Sequence, residues 1–212
     1  MIKACLFDLD GVITDTAKYH YIAWKTLADE LGFDFTPVDN EQLKGVSRKE
    51  SLEILLNIGN ILKSEEEKEK LAEYKNSLYR TYILKMTPEE LLPGAKEFLL
   101  ECRKNKIKTA LGSASKNAQT IIERLKISDL FDAVIDGTHT LKAKPNPEVF
   151  LKGAEALSVK PEECIVFEDA VSGVDAAKAA GMKVIGIGSP SILNKADFTI
   201  DSLEEISLKQ IL

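Results

Sequence analysis

From residue 93 onward the chain alternates short apolar runs with amphipathic stretches, and this alternation narrows the possible folds more than any other feature. Pro93-Gly94 open a helix that runs to Asn105. Apolar runs at 107–111, 133–135, 165–167 and 184–187 read as strands, while 116–125, 147–157 and 171–180 have helical spacing. The run Ala4-Cys5-Leu6-Phe7 adds a strand near the N-terminus. Strands that alternate with helices form a parallel sheet with helices on both faces. Ligands of such sheets sit beyond the carboxyl ends of the strands, where the strand order switches. The residues just after each strand are therefore the ones to read for chemistry.

Residues 15 to about 86 have a different character, with no convincing strand. Ala17, Tyr21, Trp24, Ala28 and Leu31 recur at helical spacing and end at Gly32. A second helix fits 48–58, with Ser47 as its N-cap. A third fits 64–86, where Ser64-Glu65-Glu66-Glu67 matches a capping box. The expected organisation is an α/β core from 1–14 and 87–212, interrupted by an all-helical insert at 15–86.

The strand ends carry a consistent chemistry. After the first strand come Asp8, Leu9, Asp10 and Gly11. Side chains two apart in an extended chain point the same way, so Asp8 and Asp10 can reach one pocket. Two such acids repel unless a cation or a shared proton relieves them. Taken alone, this is also what a solvated acidic turn looks like. After 107–111 comes Ser113, either a phosphate donor or an ordinary N-cap serine. Lys144 precedes Pro145-Asn146-Pro147, and the prolines stiffen its loop. After 165–167 come Glu168 and Asp169. Four carboxylates from two strand ends make an oxygen-rich set that suits Mg²⁺.

The net charge of −6 disfavours a nucleic-acid partner but leaves room for a phosphate ligand in a local pocket. The cysteines, Cys5, Cys102 and Cys164, are odd in number and far apart, and read as buried hydrophobes in a reducing compartment. The N-terminal apolar run meets Asp8 too early for a signal peptide, and no stretch reaches membrane-spanning length. A cytoplasmic monomer acting on a small molecule, with no nucleic-acid or membrane partner, is expected.

The order Asp-x-Asp-Gly, Ser, Lys-Pro and Glu-Asp, each after a strand, resembles the haloacid dehalogenase superfamily of phosphotransferases. That resemblance implies a Rossmann-like parallel sheet core, with the helical insert as a cap domain. Finer details resemble its β-phosphoglucomutase branch. Thr16, His20 and Trp24 share one face of a helix. Leu43-Lys44-Gly45-Val46-Ser47-Arg48 looks like the branch's cap loop, and Lys75-Asn76 and Ser113-Ala114-Ser115-Lys116-Asn117 also match. An arginine such as Arg48 can grip a phosphate with two prongs, and Gly45 permits close backbone approach.

The resemblance implies that Asp8 is the nucleophile, Asp10 the general acid and base, and Ser113 and Lys144 the groups facing the phosphoryl oxygens. It implies Mg²⁺ at Asp8, the Asp10 carbonyl and Asp169, with Glu168 close by. Thr16 and His20 would help carry Asp10 protonated. Trp24, Lys44, Gly45, Val46, Ser47, Arg48, Ser51, Lys75, Asn76, Ala114, Ser115, Lys116 and Asn117 would line the phosphosugar, with Arg48 and Lys116-Asn117 holding a second, non-reacting phosphate. The implied reaction interconverts β-D-glucose 1-phosphate and glucose 6-phosphate through an aspartyl phosphate and the 1,6-bisphosphate. The alternative is hydrolysis of a small phosphosugar. Two departures stand out. Gly112 replaces a slightly larger residue and is expected to loosen the Ser113 loop. Residues 136–143 match poorly, and His139 reads as a surface residue.

Overall fold

The structure is a computed structural model that describes residues 1–43 and 47–212; Lys44, Gly45 and Val46 of the expected cap loop lie outside the described residues. The chain divides into two compact units, Met1–Asp15 with Met86–Leu212, and Thr16–Lys85.

The chain begins with β1 (Ala4–Phe7), every residue of which is buried. The second unit then holds α1 (Ala17–Leu31), the four-residue α2 (Pro37–Asn40), α3 (Arg48–Ile58) and α4 (Glu65–Ile83). Gly32 ends α1 in the left-handed conformation at φ 88°, which glycine adopts without a Cβ clash. Ser47 caps α3, and Ser64 with Glu67 forms the expected capping box on α4. The apolar faces meet in a core of Trp24, Leu27, Phe35, Leu52 and Leu55. The helix α2, capped by Thr36 and Asp39, is not legible in the sequence because four residues carry no helical period.

The chain continues with α5 (Ala95–Lys104), β2 (Lys108–Gly112), α6 (Ala118–Arg124), β3 (Ala133–Ile135), α7 (Glu148–Ala156), β4 (Cys164–Glu168), α8 (Val171–Ala179), β5 (Lys183–Ile187) and β6 (Phe198–Ile200). These elements match the expected alternation, with ends displaced by at most two residues. The strand β6 is an addition to it, three residues long and paired only at the sheet edge.

Among the described residues the strands form one six-stranded sheet in the order β3-β2-β1-β4-β5-β6. Every pairing is parallel. The order switches direction between β1 and β4, the place at whose carboxyl ends such sheets bind their ligands. The Phe7 and Phe167 rings stack at 4.9 Å beneath that switch, both fully buried, and Phe98 packs edge-on against each. Burial of one such ring stabilises by roughly 1.5–3 kcal/mol. The three cysteines are free and buried, as the spacing suggests. Among the described residues no helix is long and apolar enough to cross a membrane.

Candidate active site

Register places the acids. Phe7 lies opposite Phe167, and the Asp8 N–H donates to the Phe167 carbonyl at 3.0 Å. Asp8, Glu168 and Asp169 therefore emerge side by side, and one carboxylate oxygen of each lies within 4.8 Å of the others. Asp8 and Glu168 are 8% and 1% exposed, whereas Asp169 is exposed and Asp10 is half-buried. Two glycines make this convergence possible. Gly11 has φ +77°, and a Cβ there would stand 2.0 Å from Asp169 Oδ2. A Cβ on Gly173, in the first turn of α8, would stand 2.0 Å from the Glu168 carboxyl carbon. Both sites exclude any side chain.

Lys144 enters this group from the loop before α7. Its Nζ donates to Asp8 Oδ1, and to Glu168 Oε2 at 2.8 Å. Burial works against the ammonium, but the charges of Asp8 and Glu168 outweigh it and hold the pKa above the usual lysine value. One ammonium does not balance three acids. Burial pushes Glu168 up, Lys144 pulls it back, and Asp8 and Asp169 add to the rise, leaving it above the usual carboxylate range. Although Asp169 as a residue is exposed, its carboxyl lies against Gly11 and is partly removed from water; this, then the charges of Asp8 and Asp10, raises it to about 7. An all-oxygen set under this much mutual repulsion fits a hard divalent cation such as Mg²⁺.

Ser113 lies two residues past Leu111, the β2 partner of Phe7, and is 2% exposed. Its N–H donates to Ile135 O at 2.9 Å. It does not cap α6. Its Oγ accepts from the Ser115 N–H at 3.0 Å, and Ser115 Oγ accepts from the Asn117 N–H at 3.2 Å, forming two nested turns. Asn117 occupies the N-cap position; Ala114 and Lys116 are exposed. Gly112, the departure noted in the sequence, is buried at the end of β2, and a Cβ there would stand 3.0 Å from the Phe150 ring. The small residue accommodates an aromatic ring.

The loop after β3 is held by its own hydrogen bonds. Asp136 is 5% exposed, and its Oδ1 accepts from the Thr138 N–H at 2.8 Å and the Thr138 hydroxyl at 2.6 Å. His139 is exposed as expected, with Nδ1 2.8 Å from the same oxygen. Asp136 directly follows a strand, a signal that sequence reasoning misses because the segment matches no motif.

The helical unit contains a second polar cluster. Lys75 is 2% exposed, and its Nζ lies 2.7 Å from His20 Nδ1; as an ammonium it donates this bond, and the proton of the neutral imidazole then sits on Nε2. The same ammonium lies 4.4 Å from the Trp24 centroid and 5.2 Å from that of Tyr79. Tyr79 stacks on His20 and donates to Thr16 Oγ1 at 3.2 Å. Burial, then Lys75 and Arg48, lower His20 to about 3, so its imidazole is neutral. Trp24 is 2% exposed and belongs to the apolar core, with the Lys75 ammonium against its ring. Ser51 is also buried, Asn76 is half-buried, and Ser47 is exposed at the α3 N-cap. Arg48 Nη1 pairs with Glu73 at 3.3 Å.

Burial, then the charge of Arg48, lower Lys75 to about 7. In the unfolded chain it titrates near ~10.4, so the folded state disfavours its proton between these values. Stability should therefore rise as pH increases from about 7 toward that unfolded value. Lys75→Met is expected to raise stability at pH 6 by a few kcal/mol, at about 1.4 per pKa unit, and to flatten this slope. Urea unfolding at pH 6, 8 and 9.5 measures both; a variant less stable at pH 6 would contradict the penalty.

A family model described as haloacid dehalogenase-like hydrolase matches residues 2–181. The chain is 43% identical over 210 residues to a β-phosphoglucomutase of Bacillus subtilis, covering 98% of this chain and 93% of that protein. It is 33% identical over 187 residues to a phosphorylated carbohydrates phosphatase of Thermotoga maritima, covering 87% and 84%. A crystal structure of β-phosphoglucomutase from Clostridium difficile superposes with TM-score 0.91 at 46% identity, covering 100% of this chain and 96% of that one. With its acids at the tips of β1 and β4 and this extent of likeness, the chain belongs to the haloacid dehalogenase-like hydrolases.

Proposed function

We propose that this chain is a sugar phosphomutase that interconverts β-D-glucose 1-phosphate and glucose 6-phosphate. The observation that carries the proposal is the Lys144 ammonium bonded to both Asp8 and Glu168 at the strand-order switch, in a chain so similar to β-phosphoglucomutases from end to end.

In the first half-reaction an Asp8 oxygen attacks phosphorus and the bond to the leaving sugar oxygen breaks, with Asp10 giving that oxygen a proton. In the second, a sugar hydroxyl attacks the aspartyl phosphate, loses its proton to Asp10 and regenerates Asp8. Lys144, Ser113 and the N–H groups after Asp8 stabilise the charge on the transferring group, since such transition states are loose and depend on positioning. A divalent ion held by Asp8, the Asp10 carbonyl and Asp169, with Glu168 beside them, would screen Asp8 from the incoming phosphate. The helical unit would serve as the family's cap, with Thr16 and His20 helping to carry Asp10 protonated and Lys75 and Arg48 among its substrate-directed groups.

The Thermotoga maritima relative favours a second reading, hydrolysis of a phosphosugar with water as acceptor. Incubation with β-glucose 1-phosphate, Mg²⁺ and catalytic 1,6-bisphosphate separates the two. The mutase produces glucose 6-phosphate with little free phosphate, whereas rapid phosphate release without glucose 6-phosphate rejects it.

A further inference from the structure

Phe150 lies in the first turn of α7 and is fully buried. One side of its ring meets the end of β2, where Gly112 leaves room that even a methyl group would crowd. The Lys144 Nζ lies 4.8 Å from the ring centroid, well inside the range of a cation–π contact. The same ammonium forms ion pairs with Asp8 and Glu168. Two carboxylates define a line of pull but do not fix where along it the ammonium stops. The electron-rich face of an aromatic ring supplies a third, differently directed attraction without adding another negative charge to a site already crowded with acids. Because the ring also abuts Gly112, it links the position of Lys144 to the strand end that leads into Ser113.

We propose that Phe150 is a positioning residue that sets the location of the Lys144 ammonium through its π face. The proposal rests on the reading of Lys144 as a group that faces the transferring phosphoryl. Phe150 touches no reacting atom itself; it acts through Lys144.

Substitution by leucine removes the ring but also disturbs the core, so shape and π character must be separated. Mono-, di- and trifluorophenylalanine at 150 keep the shape and progressively withdraw charge from the ring face. The full-length protein carrying each is assayed for turnover, KM for β-glucose 1-phosphate and thermal unfolding. The expected result is a stepwise fall in kcat of roughly tenfold across the series, the scale of a desolvated cation–π contact, with KM and the unfolding midpoint little changed. A kcat that stays flat overturns the proposal. The second measurement needs no activity: the side-chain NMR signals of Lys144 should be shifted upfield by the ring and lose that shift in Phe150→Leu. Absence of the shift overturns the proposal whatever the substrate. Absence of wild-type turnover with the shift present instead overturns the functional reading.

Discussion

Asp8→Asn is expected to abolish turnover, by about 10⁴–10⁶-fold, the scale seen when a nucleophile is removed. The amide has nearly the shape of the carboxylate, so β1 and its register with β4 should survive. What it lacks is the oxygen able to attack phosphorus and the charge that pairs with Lys144. The fold should not suffer. One fewer acid in the group relieves the repulsion that raises Glu168 and Asp169, so the metal-free variant should unfold no earlier than wild type. Intact-mass spectrometry after exposure to substrate should find a phosphoryl group on wild type and none on the variant. Retained turnover would remove Asp8 from the role of nucleophile.

Lys144→Met should damage both function and stability. Taking one partner out of a buried ionic group leaves the others uncompensated, at a typical cost of about 3–5 kcal/mol. Here Asp8 and Glu168 would be left facing each other, with side chains 11% and 1% exposed. Turnover should fall by about 10²–10³, as when one preorganised donor to a transition state is lost. Added Mg²⁺ should recover part of the stability by supplying positive charge to the same acids, and none of the charge that the ammonium directs at the phosphoryl group. Thermal unfolding with and without Mg²⁺ checks this. A variant as stable as wild type in EDTA would show that the ammonium does not hold the acids together.

Much of the fold is legible in the sequence because its signals are local. The helices at 17–31 and 48–58 follow from apolar spacing, Gly32 and the Ser47 cap, and the structure places them at those residues. The strands are short apolar runs bounded by turns, and looking for chemistry just past each strand leads to Asp8, Ser113 and Glu168. The same rule points to Asp136, which escapes notice because its loop matches no motif. The two-residue offset of Asp8 and Asp10 and the Lys144-Pro145 pair are likewise visible without coordinates. The elements β6 and α2 are too short to show a period.

The sequence by itself determined which residues can bear chemistry and the order in which strands and helices deliver them. Tertiary structure alone decided which of them meet. Glu168 reaches Asp8 because β4 pairs with β1 in register, 160 positions away in the chain. Gly173 and Gly11 matter for the carboxylates they admit, and Gly112 for the Phe150 ring. The burial that lowers Lys75 likewise depends on packing between helices. Periodicity and capping report interactions within a few residues. Close approach between distant segments depends on strand register and side-chain volume, and no local pattern encodes either.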